Sequence, residues 1–118
     1  MPDKHRKKIG ILGEKLALKF LQKQGYKIVA RNFYCRSGEI DIIAEYKKAT
    51  IFIEVKARKS LKFGTPEESI TSKKIKHMLR TAQFYIAKYK PRQEFFRFDV
   101  VTIILDKKPQ IRHIKNAF

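Results

Sequence analysis

Asp41 lies in the run Glu39-Ile40-Asp41-Ile42-Ile43-Ala44, and Glu54 and Lys56 lie in Ile51-Phe52-Ile53-Glu54-Val55-Lys56-Ala57. β-Branched residues dominate both segments, so each reads as a strand. A carboxylate embedded in a strand needs a partner, because an unpaired buried charge is costly. The natural partner for two such carboxylates is a divalent cation, and hard oxygen donors suit Mg²⁺ or Mn²⁺. The chain has 11 Asp and Glu against 28 Lys and Arg, so its acids would be expected in surface ion pairs rather than inside apolar runs.

The segment Tyr46-Lys47-Lys48-Ala49 is a short polar break suited to a hairpin. Closing the two strands symmetrically around Lys47 and Lys48 places Glu45 opposite Thr50, Ile43 opposite Phe52, and Asp41 opposite Glu54. The same register sets Glu39 opposite Lys56. Directly opposed residues have Cβ atoms roughly 4.5–5.5 Å apart. Two carboxylates at that separation repel, and one should titrate high unless a cation intervenes. Alternation puts Glu54 and Lys56 on one face and Ile51, Ile53 and Val55 on the other. Two acids and a lysine therefore converge at one end of a hairpin.

The elements that must hold this hairpin can be read from periodicity. Residues 9–24 form a helix, with Leu12, Leu16 and Phe20 at i+4 spacing and Gly25 at its end. Glu14 shares a stripe with Leu18 and Leu21, away from Lys15, Lys19 and Lys23. It is either a site acid or an early-helix acid complementing the dipole. Residues 26–33 alternate as a first strand, followed by the turn Cys35-Arg36-Ser37-Gly38. After the two acid strands comes a loop at residues 59–64. Thr65-Pro66-Glu67-Glu68 then has the pattern of a helix start, with a restart available at Thr71-Ser72. That helix runs to Tyr89, with Ile75, Leu79, Ala82, Ile86 and Tyr89 inward and Lys73, Lys76 and Arg80 outward. Residues 95–105 are apolar on both faces except for Arg97 and Asp99 and read as a central strand. Residues 109–114 add an edge strand. The order α-β-β-β-α-β-β predicts an α/β fold with a mixed sheet flanked by two helices.

At 118 residues the chain is expected to form one domain, with a basic N-terminal arm at residues 1–8. Its formal charge of +17 implies a polyanionic partner, since such a surface attracts phosphate and releases counterions. An anionic membrane surface fits less well, because the basic residues are not gathered on one amphipathic helix. A lone cysteine, Cys35, forms no intramolecular disulfide, which points to a reducing, cytoplasmic setting. The basic start leads into a segment interrupted by Glu14, Lys15 and Lys19, neither a signal peptide nor a membrane span.

The helix acid, Gly38-Glu39-Ile40-Asp41 and Glu54-Val55-Lys56, in an αβββαβ order, resemble the PD-(D/E)xK nuclease superfamily, with Ile40 in place of the motif's proline. Gly13-Glu14, Ala17, Gly25-Tyr26, Arg31-Asn32, Phe63-Gly64 and Phe98-Asp99-Val100 extend the likeness over nearly the whole chain to the YraN-like family of small bacterial proteins. Archaeal Holliday junction resolvases are similar in the helix acid, the Asp strand and the E-x-K strand. The resemblance implies a restriction-endonuclease-like core in which Asp41, Glu54 and the Val55 carbonyl hold Mg²⁺ or Mn²⁺. It further implies Lys56 as the catalytic lysine and Glu14 as a supporting acid that binds metal directly or through water. Junction resolvases act as symmetric dimers, which makes a homodimer a candidate state.

The expected activity is a divalent-metal-dependent endonuclease hydrolysing phosphodiester bonds in DNA, branched or structured DNA included. Two other classes compete: a non-catalytic nucleic-acid-binding module on a nuclease fold, and an RNA- or ribosome-associated basic protein. Arg31, Arg36, Ser37, Arg58, Lys59, Lys73 and Lys76 are the candidate phosphate contacts. Glu39 is open to two roles, pairing with Lys56 or Arg58 or serving as a ligand, and Asp99 is expected to pair with Arg97 or a helix cation. His5, His77 and His113 lack metal-ligand spacing, with His77 read as a solvated helix residue. Tyr26, Tyr34 and the Phe95-Phe96-Phe98 group read as core.

Overall fold

A computed structural model of the protein describes residues 2–60 and 70–118, with backbone alone for residues 2–6. The elements are α1 (Pro2–Lys23), β1 (Lys27–Cys35), β2 (Gly38–Tyr46), β3 (Ala49–Arg58), α2 (Ser72–Tyr89), β4 (Phe95–Ile104) and β5 (Gln110–Ile114). The five strands form one sheet in the order β1-β2-β3-β4-β5. β1, β2 and β3 are an antiparallel meander, β4 runs parallel to β3 after the α2 crossover, and β5 closes the edge antiparallel to β4. This is the α/β order expected from the pattern, with β5 appended to the αβββαβ core. Among the described residues no helix is long and apolar enough to cross a membrane.

The helices cover opposite faces of the sheet, as two separate clusters record. Ala17 and Leu21 of α1 pack with Ile42, Ala44, Ile51, Ile53, Val101 and Ile103. Ala82 of α2 packs with Ile40, Ile43 and Phe52. Because β3 and β4 are covered on both sides, their side chains are apolar in both phases of the alternation.

α1 starts at Pro2, so the helix takes in residues 2–8 of the segment that the sequence set apart as an arm. Its buried stripe also differs from expectation. Gly13, Ala17 and Leu21 form the centre, while Leu12 is 48% exposed. The small residues explain the shift. A Cβ on Gly13 would lie 2.5 Å from the Ala57 Cβ, so glycine is what lets α1 lie against β3. In α2 the buried residues are Met78, Thr81 and Ala82, while Leu79 and Tyr89, expected inward, are exposed. Thr71 caps α2, its hydroxyl accepting from the Lys74 amide at 3.2 Å. The expected earlier start at residues 65–68, and most of the loop expected at 59–64, lie outside the described residues.

The hairpin register agrees with the symmetric closure: Tyr46 faces Ala49, Glu45 faces Thr50 and Ile43 faces Phe52. The described ladder ends at Ile42 opposite Ile53, one step short of Asp41 and Glu54. At the same place the alternation breaks, since Ile42 packs in the α1-side cluster and Ile40 in the α2-side cluster. Asp41 therefore stands where β2 leaves β3. Glu39 does not come to face Lys56; it is exposed and pairs across β1 with Tyr34.

Helix propensity alone favours Gly13→Ala by about 1 kcal/mol, but the contact with Ala57 opposes it. The variant is expected to lose about 1–3 kcal/mol by overpacking, and a second change, A57G, should recover part of that. Urea denaturation of G13A and of the double variant checks both signs.

Candidate active site

Three elements bring charge to one place: β2 supplies Asp41, β3 supplies Glu54 and Lys56, and α2 supplies Lys74. Glu54 is buried, with 4% of its surface exposed. Its Oε1 is 2.7 Å from the Lys74 Nζ and 3.4 Å from the Lys56 Nζ. Asp41 Oδ2 accepts the Val55 amide at 2.8 Å, which ties β2 to β3 just where the backbone ladder has stopped. Burial, and then the Glu54 charge, push the Asp41 carboxyl up from 3.8 to about 7, against the opposing pull of the Val55 amide. Burial and the neighbouring Lys74 hold Lys56 below the usual lysine range. Burial acts in the same sense on Lys74, but hydrogen bonds to Glu54 and Lys56 outweigh it and raise that group.

Asp41 is reached from both sides. A cavity of about 350 Å³ on the α2 side is lined by Glu39, Asp41, Glu54, Lys73, Lys74 and His77. Another of about 540 Å³ on the α1 side is lined by Glu14, Asn32, Glu39, Asp41 and Val55. Glu14 accepts from the Asn32 amide at 3.1 Å and has the Arg31 Nε at 3.6 Å. The acid of the first helix thus reaches the Asp41 region, held there by two β1 side chains.

Asp41, Glu54, Val55 and Lys56 are brought together as their spacing implied, and Glu14 shares a cavity with Asp41. Of the basic candidates, Arg31 reaches Glu14 and Lys73 lines the α2-side cavity. Ser37 contributes its carbonyl, 2.8 Å from the His77 Nδ1. His77 is therefore anchored to the β1–β2 turn rather than simply solvated. Arg36 lines a separate cleft along β1. Arg58, Lys59 and Lys76 are exposed and line neither acid cavity. The pairing of Glu39 with Lys56 is replaced by Lys56 with Glu54.

Lys74 is the residue that sequence reasoning missed. It falls on the stripe of Met78, Thr81 and Tyr85, so it was a charge on an apolar arc, the same signal that singled out Glu14. Asp99 does pair with Arg97, at 2.8 Å, and also meets His113 at 2.7 Å and the Asn116 amide at 3.0 Å. Tyr26 and Phe98 are buried or partly buried as expected, but Tyr34, Phe95 and Phe96 are exposed at 77%, 61% and 43%.

The family model for the uncharacterised protein family UPF0102 matches residues 13–103. The chain belongs to this family. It is 49% identical over 116 residues to a UPF0102 protein of Caldicellulosiruptor bescii, covering 95% of this chain and 98% of the relative. It is 44% identical over 117 residues to one of Caldicellulosiruptor saccharolyticus, covering 97% and 99%. A UPF0102 protein of Caldanaerobacter subterraneus matches at 41% over the full length of both chains. This is the YraN-like family whose motifs the sequence carries.

The Asp41 titration sets the sign of a pH effect on the metal-free protein. Below about pH 4 the carboxyl is protonated both folded and unfolded, and it contributes nothing. As the pH rises towards 7 the unfolded chain ionises first, so stability declines, and the loss is complete above about 7. In EDTA, Asp41→Asn should remove this decline and be more stable than wild type at pH 8 by about 1–3 kcal/mol. Urea titrations at pH 5 and pH 8 test it; an equal loss of stability in the variant at both values would contradict the assignment.

Proposed function

We propose that the protein is a divalent-metal-dependent endonuclease acting on DNA, with Asp41, Glu54 and Lys56 as its working groups. The observation that carries this reading is a buried Glu54 beside a half-buried Asp41 that opens to cavities on both sides and stays electrostatically unrelieved. The donor chemistry fits a hard cation: two carboxylates on adjacent strands, the Val55 carbonyl beside them, and Glu14 across the α1-side cavity. Among the described residues no three His, Cys, Asp or Glu side chains already converge on a common point, and no buried side-chain polar atom lacks a hydrogen-bond partner. Asp41 and Glu54 would hold the ion. Bound there, Mg²⁺ or Mn²⁺ lowers the pKa of water and stabilises charge on a phosphate.

The chain's own groups do the rest. Phosphodiester hydrolysis joins a water oxygen to phosphorus, breaks the bond to the leaving oxygen, and moves a proton from the water to that oxygen. Lys56, depressed by burial and by Lys74, is suited to take a proton from the attacking water or to stabilise the phosphate. Lys74 keeps its charge beside Glu54 and can turn to a phosphate oxygen when Glu54 gains another partner. Arg31 and Lys73 flank the two cavities and supply non-specific phosphate attraction. The charge of +17 supports a nucleic-acid partner of this kind.

A second reading draws on the same geometry. Glu54 is already satisfied by two ammonium groups, as it would be in a nucleic-acid-binding module where Lys74 stands in the place of an ion. Metal titration separates the two. In the nuclease, millimolar Mn²⁺ should raise the Tm of wild type but not of Asp41→Ala, and the module should show no such rise. With Mn²⁺ the wild-type protein should nick or cut DNA, and Lys56→Ala should lower the rate about 100-fold or more while leaving DNA affinity in EDTA largely intact. A panel of duplex, single strand, flap, four-way junction and RNA scores the substrate. Cutting that persists alike in Asp41→Ala, Glu54→Ala and Lys56→Ala places the chemistry elsewhere. Metal-insensitive preference for ribosomal RNA would instead mark an RNA-coating protein.

A further inference from the structure

We infer that the cleft between β1 and the C-terminal half of α2 binds unpaired nucleotides by stacking their bases on Tyr34, Phe84 and Tyr89. The inference rests on the proposed function only in taking nucleic acid as the partner. The cleft has a volume of about 600 Å³ and carries Arg31, Arg36 and Lys88 beside those rings. The rings are large and apolar, yet Tyr34 is 77% exposed, Phe84 47% and Tyr89 53%. Exposed aromatic faces interleaved with cations are the combination that single strands use, since each base offers a π-face and each phosphate a charge. The Lys88 ammonium lies over the Phe84 and Tyr89 rings, 5.8 and 5.4 Å from their centres, so a cation already rests on these π-faces and would move to a phosphate as bases take its place. A duplex hides its base faces, whereas a single strand, flap or opened branch point presents them.

Charge decides against a second copy of the chain as the occupant. The described lining holds three basic side chains and no acid. A symmetric interface would set that surface against itself, with like charges opposed. The cleft adjoins the α1-side acid cavity, with which it shares Asn32. Arg31 lines it and reaches Glu14 at 3.6 Å, and Asn32 lines it, donates to Glu14 and also lines the α1-side cavity. A strand whose phosphate lies at Asp41 and Glu54 can cross β1 at these two residues and lay its next bases on Tyr34. The site would then cut next to unpaired nucleotides.

The test measures binding by the full-length chain in EDTA, using fluorescence anisotropy of three labelled probes of about 15 nucleotides. These are an oligo-dT strand, an abasic strand of equal length and a duplex. Wild type should bind the base-bearing strand more tightly than the abasic one. Tyr34→Ala and Tyr89→Ala should each weaken oligo-dT binding about ten-fold, with the abasic and duplex affinities unchanged, and Tyr34→Phe should restore it. Both positions are exposed, and unchanged circular dichroism and Tm confirm that the variants fold. Equal affinity for abasic and base-bearing strands, or unchanged binding in the alanine variants, overturns the inference. So does a result in which the variants alter only a monomer–dimer equilibrium measured by sedimentation. Base-dependent binding by a protein that never cuts defeats the nuclease reading alone, while base-independent binding by an active nuclease defeats this one alone.

Discussion

Crowding of two like charges, Glu54 buried and Asp41 half-buried, at the point where β2 parts from β3 is the constraint around which the molecule is arranged. Glu54 is almost fully covered, and a buried carboxylate without a partner is among the costlier features a small domain can carry. Three groups from two elements answer it. β3 contributes Lys56 from two residues along the same strand, α2 contributes Lys74 from its first turn, and the β3 backbone gives the Val55 amide to Asp41. The Thr71 cap fixes the start of α2 and so places Lys74 over the sheet. Gly13 lets α1 close against β3 on the other face, which carries Glu14 to the far side of Asp41.

A comparison within the chain separates the acid of the proposed site from a structural one. Asp99 is completely buried, and burial alone would raise its pKa, yet hydrogen bonds from His113, Arg97 and the Asn116 amide hold it below the usual carboxylate range. It ties β4 to β5 and to the residues that follow, and every interaction it makes favours its charge. Asp41 is only half-buried, with one amide donor and a repelling neighbour, and it moves the opposite way. A carboxylate left unrelieved beside open cavities is the feature on which the proposed site rests.

Some of this was legible in the residues and some was not. The hairpin register followed from Lys47 and Lys48, because a two-residue loop leaves one symmetric pairing that keeps Ile43 and Phe52 on the same face. The convergence of Asp41 with Glu54 followed in outline, though by a side-chain-to-backbone bond across diverging strands rather than by direct opposition. Alternation is a property of regular strands, and it lapses between Ile40 and Ile42. Leu79 and Tyr89 were placed inward by periodicity, but α2 is rotated so that Lys74, Met78, Thr81 and Ala82 meet the sheet. Helical spacing defines stripes without saying which one is buried. Tyr34, Phe95 and Phe96 were read as core for a similar reason: hydrophobicity does not reveal which face of an edge or strand end a neighbour fails to cover.

The amino-acid order by itself determined the α/β class, the element order, the family and the acids and lysine of the proposed site, because strand alternation, turn residues and charges in apolar runs are local signals. Tertiary structure decided that Lys74 shares Glu54 with Lys56, that Glu14 approaches Asp41 through Asn32 and Arg31, and that aromatic rings line an open basic cleft. Those relations join residues distant in the chain, and they depend on helix rotation and on how closely Gly13 allows α1 to approach. No spacing within a single segment encodes them.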